Sequence, residues 1–220
     1  MEKQYIIIGL GRFGSSLCKE LHALGHEILA MDLTEERVSA MSNFATQTIQ
    51  ANGTDERDLK ALGVRNFEYA IVAFGEDLQA SVLCTLMLKE MGVPNVWVKA
   101  SNQQHQLILE KVGADRVIQP EKEMGIRIAH LLDSDKIADY IELSENHSIM
   151  ELFASSKMTG KTLKELNIEA KYNCKVLAIK RLGDVNIGPM SEDEIVKGDI
   201  LIMMGHQKDL RRFEKKGLSD

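Results

Sequence analysis

The chain has 220 residues, of which 44% are apolar, and carries a formal net charge of −6. This length exceeds a typical domain of about 100 to 150 residues, so we predict one large domain or two smaller ones. The negative charge argues against a general nucleic-acid binder, which requires clustered lysine and arginine, and no apolar run approaches the roughly 20 residues of a membrane helix.

Apolar runs and helical patterns alternate through the first part of the chain. Strands are predicted at residues 6–8, 27–31, 46–50, 69–74, 96–99 and 115–119. Helical patterns fill the intervals; the first ends at Gly25, and Thr34 is placed to cap the second. This order predicts an α/β fold with a Rossmann-like, doubly wound parallel sheet. A further helical pattern, from residue 121 to about 139, either lies on this sheet or crosses to another subunit.

The rest of the chain predicts a small α+β lobe. Strands are expected at residues 148–154, 176–179 and 200–204, with a short helix after Thr162, a hairpin turn at Gly183-Asp184 and a charged helix at 208–216. A polar interruption at 133–135 sets the predicted boundaries. Residues 1–133 form the N-terminal domain, 134–143 a crossover or linker, and 144–220 the C-terminal domain.

Three glycines at the G-x-G-x-x-G spacing stand between the first strand and the first helix. Gly9 allows a sharp turn, Gly11 allows the backbone to approach a pyrophosphate, and Gly14 allows the helix to pack closely on the strand. Asp32 ends the second strand, where a carboxylate accepts hydrogen bonds from ribose hydroxyls. Strand, glycine loop, helix and acid together predict a nucleotide whose phosphates rest on a helix N-terminus.

Several segments resemble those of a known family. They are Gly9-Leu10-Gly11-Arg12-Phe13-Gly14, Asp32, Gly53-Thr54-Asp55, Gln119-Pro120-Glu121 and the appended C-terminal lobe. The chain resembles the cytosolic regulatory subunits of Ktr-type potassium uptake systems, which are regulator-of-K⁺-conductance (RCK) proteins. The most specific feature is Arg12-Phe13 inside the glycine loop, because dehydrogenases place small or apolar residues there.

The resemblance implies a regulator that is not an enzyme. Such subunits bind ATP or ADP in the N-terminal lobe. They form homodimers that assemble into an octameric ring beneath an integral membrane K⁺ pore subunit. We therefore expect a cytoplasmic protein, held at the periphery of the cell membrane by its pore partner, with no nucleic-acid partner.

The resemblance also assigns residues to the nucleotide. Gly11, Arg12, Phe13 and Gly14 contact the phosphates after the turn at Gly9, Asp32 contacts the ribose, Asn52 and Thr54 flank the adenine side, Ala73 and Gly75 line the crevice, and Lys99 supplies positive charge. Glu121 matches the position at which the family holds Mg²⁺ or Ca²⁺ near the γ-phosphate.

The chemistry of these side chains is consistent with a third phosphate. A guanidinium such as that of Arg12 grips terminal phosphate oxygens, and a carboxylate is tolerated beside them when a divalent cation bridges the two. Simpler explanations remain open at three positions. Arg12 would form a surface ion pair, Glu121 would favour a helix dipole, and Lys99 would be a solvated strand end.

In the C-terminal lobe the resemblance implies a site for cyclic di-AMP at the dimer interface. The matching stretch is 163–176, with Pro189 across the cleft. Family members often carry an acid and an arginine in this stretch, whereas this chain has Asn167 and Glu169. Either the ligand is held by backbone and apolar contacts, or its affinity is altered. The candidate residues are Leu163, Ile168, Asn173, Cys174, Lys175 and Pro189.

Two other classes are weighed against this interpretation. An NAD(H)-dependent oxidoreductase needs a hydride-transfer site, but His105, His130, His147 and His206 are scattered along the chain. An NAD(H)-sensing transcription factor needs a basic recognition helix, and the cations of the last helix are equally consistent with a solvated C-terminal helix. Three separated cysteines predict buried free thiols in a reducing cytosol, and we expect no signal peptide.

Overall fold

The computed structural model describes residues 3–74 and 76–218. The chain divides into two compact units, Met1–Pro120 and Glu121–Asp220, called here the N-lobe and the C-lobe. No helix in these described ranges has the length and apolar composition needed to cross a membrane.

The N-lobe is a parallel sheet covered by helices on both faces. Its strands are β1 Gln4–Ile8, β2 Glu27–Asp32, β3 Gln47–Gln50, β4 Tyr69–Val72, β5 Asn95–Lys99 and β6 Arg116–Ile118. Its helices are α1 Arg12–Ala23, α2 Glu35–Ala40, α3 Glu56–Ala61, α4 Leu78–Glu90 and α5 Gln103–Val112, with a 3₁₀ turn at Val64–Asn66. The strand order is β3-β2-β1-β4-β5-β6. The predicted Rossmann-like sheet is confirmed, although β4 ends at Val72 before the predicted end at residue 74.

The strand β1 shows why the strands of this sheet appear in the sequence as continuous apolar runs. Ile6 and Ile8 pack with Leu59 of α3 on one face, and Ile7 packs with Cys18 of α1 on the other. Burying each such isoleucine stabilises the fold by roughly 2 kcal/mol. Chain connections run in opposite directions from β1 and β4, so a crevice opens at the carboxyl ends of these two strands.

The C-lobe is a five-stranded antiparallel sheet with helices. Its elements are α6 Pro120–Asp133, β7 Ile137–Glu142, β8 His147–Phe153, α7 Leu163–Leu166, α8 Ile168–Tyr172, β9 Cys174–Arg181, β10 Asp184–Ile187, β11 Ile200–His206 and α9 Gln207–Gly217. The strand order is β10-β9-β11-β8-β7. The predicted small α+β lobe is confirmed, and Thr162 caps α7 in a capping box with Glu165.

The segment 134–143, predicted as a crossover or linker, contains the strand β7, so that part of the prediction is wrong. The pairing of β7 with β8 shifts register between Ile137 and Asp139, and such a bulge breaks the alternation that marks a strand in sequence. The helix α6 also packs within the C-lobe. Ile126 lies against the C-lobe core, and Arg127 Nε donates to Asp139 Oδ1 at 2.8 Å. The two units accordingly divide at Pro120, earlier than the predicted boundary at residue 133.

All three cysteines are free and buried, as predicted. Burial raises the pKa of Cys84 to about 12 and those of Cys18 and Cys174 to about 11. A thiol with so high a pKa is almost entirely protonated at neutral pH and is a poor nucleophile. These residues therefore serve the core as small apolar side chains.

Candidate functional site

The glycine loop connects β1 to α1 by a close backbone contact. Gly9 has φ +101°, a left-handed conformation that a side chain disfavours. A Cβ added at Gly14 would lie 1.9 Å from Gly9 O, so the helix can approach the loop only with glycine at that position. At Gly11, by contrast, an added Cβ would meet no atom within 4 Å. The loop is thus tight on its protein side and open at Gly11.

The N-terminus of α1 offers hydrogen-bond donors at this opening. Gly11 is the N-cap residue without a side-chain cap, and Ser15 N–H donates to Gly11 O at 2.9 Å. The backbone N–H groups of a first helical turn precede the intrahelical ladder, and the helix dipole adds positive potential there. Arg12, the first residue of α1, is exposed. The arrangement suits an anion such as a phosphate.

Lys99 brings a second cation to the glycine loop. It is half-buried at the end of β5, and its Nζ lies 6.0 Å from the centre of the Phe13 ring. Ala73, which follows β4, is buried, and its N–H donates to Ile8 O at 2.8 Å. The structure therefore brings Lys99, Phe13 and Ala73 to the same edge of the sheet as the glycines. The predicted crevice residue Gly75 lies outside the described residues.

The loop between β3 and α3 holds Asn52 and Thr54 by internal hydrogen bonds. Asn52 Oδ1 accepts from Thr54 N at 2.9 Å and from Thr54 Oγ1 at 2.8 Å. A Cβ added at Gly53 would lie 2.6 Å from Ile8 Cγ2 and 2.8 Å from the Phe74 ring. Sequence analysis did not single out Phe74. Its ring packs against both Gly9 and Gly53, and its place at the end of the fourth predicted strand is the sequence signal that could have indicated it.

Asp32 contacts the glycine loop as well as its own turn. Its side chain is nearly buried at the end of β2. Oδ2 accepts from Leu10 N at 2.7 Å, and Oδ1 accepts from Thr34 N at 2.8 Å. The guanidinium of Arg37, an exposed residue of α2, lies 3.5 Å from Oδ2. Thr34 is the N-cap of α2 as predicted, but its side chain makes no cap hydrogen bond.

Glu121, the candidate metal residue, is exposed in the first turn of α6. Among the residues that the structure describes, no three histidine, cysteine, aspartate or glutamate side chains are grouped to hold a metal. A single carboxylate is still compatible with Mg²⁺, which commonly binds one or two carboxylates together with phosphate oxygens and waters.

The candidate residues of the C-lobe differ in what they can present. Ile168 and Cys174 are buried in the C-lobe core. Asn173 and Lys175 are exposed, whereas Leu163 and Pro189 are half-buried. Asn173 adopts a left-handed conformation at the end of α8 and donates from Nδ2 to Asp209 Oδ2 at 3.2 Å. The side chains of Ile168 and Cys174 therefore serve the core, whereas those of Asn173 and Lys175 are exposed to solvent.

Comparisons with known proteins decide the family. The TrkA-N domain profile matches residues 5–120, and the TrkA-C domain profile matches residues 149–216. The chain is 53% identical over 216 residues to Ktr system potassium uptake protein A of Bacillus subtilis. The aligned region covers 98% of this chain and 97% of that protein. This chain belongs to the Ktr family of potassium uptake proteins.

Other comparisons agree with the assignment to the Ktr family. Identity to Ktr system potassium uptake protein C of Bacillus subtilis is 47% over 218 residues, covering 99% of each chain. Among solved structures, the GsuK channel matches with a TM-score of 0.70 and 17% identity over 99% of this chain, which spans only 39% of that channel chain. That likeness shows the fold alone. Members of the Ktr family of this type are regulatory subunits of potassium transport, so the predicted recognition and non-enzymatic role are confirmed.

Proposed function

We propose that this Ktr-family chain is a ligand-gated regulator that binds ATP or ADP in its N-lobe and thereby controls K⁺ flux through an integral membrane pore subunit. The observation that carries the proposal is the open N-terminus of α1, with Arg12 as its first residue and Lys99 beside Phe13. Backbone N–H groups and two cations at one edge of the sheet are suited to the negative charge of a polyphosphate chain.

Discrimination between ATP and ADP would come from the third phosphate. A ligand shifts a conformational equilibrium only by the difference between its affinities for the two states. Arg12 is the residue best suited to supply that difference, because a guanidinium fork binds two terminal oxygens at once. Glu121 would add to it through Mg²⁺ or Ca²⁺ held jointly with the γ-phosphate.

We further propose a homodimer that assembles into an octameric ring on the cytoplasmic side of the membrane. On α6, Met124, Ile128 and Leu132 recur every four residues and are exposed, Leu132 by 82%. A further set on α4 and α5 comprises Leu83, Leu86 and Leu107, each at least 40% exposed. Such aligned apolar side chains favour burial against other copies of the chain.

Cyclic di-AMP is the ligand that we propose for the C-lobe. The support is the family resemblance of the stretch 163–176, together with the exposure of Asn173 and Lys175. Lys175 would face the phosphates, and Glu169, which is also exposed, would weaken binding by its charge. Calorimetry with cyclic di-AMP on the native chain and a Glu169→Gln variant tests this, with tighter binding expected for the variant.

The Arg12→Ala variant is expected to lose most of the difference between the ATP and ADP states while still binding ADP. Small-angle scattering with each nucleotide measures the change of ring shape, and light scattering gives the mass of the assembly. Arg65→Ala, an exposed arginine in the 3₁₀ turn, is the matched control and should keep the wild-type response. An unchanged nucleotide response in Arg12→Ala contradicts the role of Arg12. Saturable NADH binding without ATP binding contradicts the proposed function itself.

A further inference from the structure

Asp32 occupies an unusual position for a residue expected to serve only the ribose. Both of its carboxylate oxygens accept backbone N–H groups, Oδ2 from Leu10 at 2.7 Å and Oδ1 from Thr34 at 2.8 Å. The residue is 7% exposed, so water competes little for these bonds. Hydrogen bonds to an ionised acceptor are about twice as strong as neutral ones.

The bond from Leu10 continues a line of contacts between the glycine loop and β2. Gly9 N–H donates to Met31 O at 2.8 Å, and the next amide, that of Leu10, donates to the Asp32 side chain. Two consecutive amides of the loop are thus fixed to the end of β2. The residues that follow, Gly11 and Arg12, begin α1, so the direction of its N–H groups depends on this attachment.

Asp32 also keeps acceptor capacity for a ligand. An ionised carboxylate offers about four lone-pair positions, and the two backbone bonds use two of them. The third neighbour, Arg37, lies 3.5 Å from Oδ2 and is 56% exposed, which makes it a weak, solvent-screened partner. A ribose contact and the attachment of the loop are therefore compatible.

We propose that Asp32 is a positioning residue that holds the glycine loop in its phosphate-binding geometry, so that it controls affinity for the phosphates even of a ligand without ribose hydroxyls. The inference rests on the proposed binding of ATP at this loop. It predicts that loss of the carboxylate loosens Leu10 and weakens phosphate binding together, while β1 is unaffected.

The test compares the wild type with Asp32→Ala, Asp32→Asn and the control Arg37→Gln. The ligands are ATP, 2′,3′-dideoxy-ATP, which has no ribose hydroxyls, and inorganic tripolyphosphate. We expect Asp32→Ala to bind dideoxy-ATP and tripolyphosphate about tenfold more weakly than the wild type. Asparagine keeps one acceptor oxygen, so the affinity of Asp32→Asn should fall between those of the wild type and Asp32→Ala. The affinity of Arg37→Gln should resemble that of the wild type.

Amide hydrogen exchange provides the second measurement. The Leu10 amide should exchange at least about tenfold faster in Asp32→Ala and by a smaller factor in Asp32→Asn, while Ile6, Ile7 and Ile8 keep wild-type protection. Equal affinity of wild type and Asp32→Ala for dideoxy-ATP would confine Asp32 to the ribose and overturn the inference, as would an unchanged exchange rate at Leu10. Failure of the wild type to bind ATP and ADP would instead overturn the proposed function, and the exchange at Leu10 would still decide whether Asp32 positions the loop.

Discussion

The Gly14→Ala variant is expected to lose about 3 kcal/mol of stability and its nucleotide binding. A Cβ at this position would lie 1.9 Å from Gly9 O and 3.1 Å from Gly9 C, both backbone atoms that cannot rotate away. The loop and α1 must therefore separate, which displaces the N–H groups proposed to bind phosphate. Urea denaturation measures the free energy of unfolding, and calorimetry with ATP measures binding.

Gly11→Ala is the control for the change at Gly14. Gly11 has φ −67°, which alanine adopts without strain, and an added Cβ meets no atom within 4 Å. Stability should stay within about 0.5 kcal/mol of the wild type. Affinity for ATP should nevertheless fall, because the methyl group projects into the opening where a phosphate would approach the backbone. A Gly14→Ala protein as stable as Gly11→Ala contradicts the close contact between loop and helix.

The second large effect is expected for Asp199→Ala in the C-lobe. Asp199 is fully buried and accepts from Arg181 Nε and Nη2 at 2.8 Å each and from Val196 N at 2.9 Å. Removing one partner of a buried ion pair destabilises a protein by about 3 to 5 kcal/mol. We expect about 3 kcal/mol here, because Arg181 is 46% exposed and can recover some hydration. Asp184→Ala, an exposed aspartate on β10, is the control and should change little.

The ion pair of Asp199 with Arg181 makes the stability of the C-lobe fall at low pH. Burial alone would raise the pKa of Asp199, but the hydrogen bonds from Arg181 and Val196 and the charge of Arg181 outweigh it, and the net pKa is lowered. A lowered pKa contributes stability that is present above the unfolded value of about 3.9 and is lost as pH falls through the folded value. We therefore expect the wild type to lose this contribution to the free energy of unfolding between pH 6 and pH 2, whereas Asp199→Ala should lack it at every pH in that range. An identical acid profile in the variant and the wild type contradicts the assignment.

Much of the N-lobe could be predicted from local patterns. The alternation of apolar runs and helical patterns predicted the six strands in order, and α5 begins after Asn102, whose Oδ1 accepts from His105 N at 2.9 Å. These features depend on residues close together in the chain, where period and capping chemistry act directly. The C-lobe was less predictable. Its strand β7 carries a bulge, and α8 has five residues, too few to show a helical period.

The sequence by itself determined the positions of the glycine loop and Asp32 and hence the kind of ligand to expect. Only the tertiary structure decided that Asp32 binds Leu10, that Lys99 lies by Phe13 and that α6 packs within the C-lobe. Each of these contacts joins residues distant in the chain, and their meeting depends on strand register and helix packing that no local pattern encodes. Glycine spacing therefore indicates that a phosphate can bind, whereas the folded sheet determines which side chains position the loop for it.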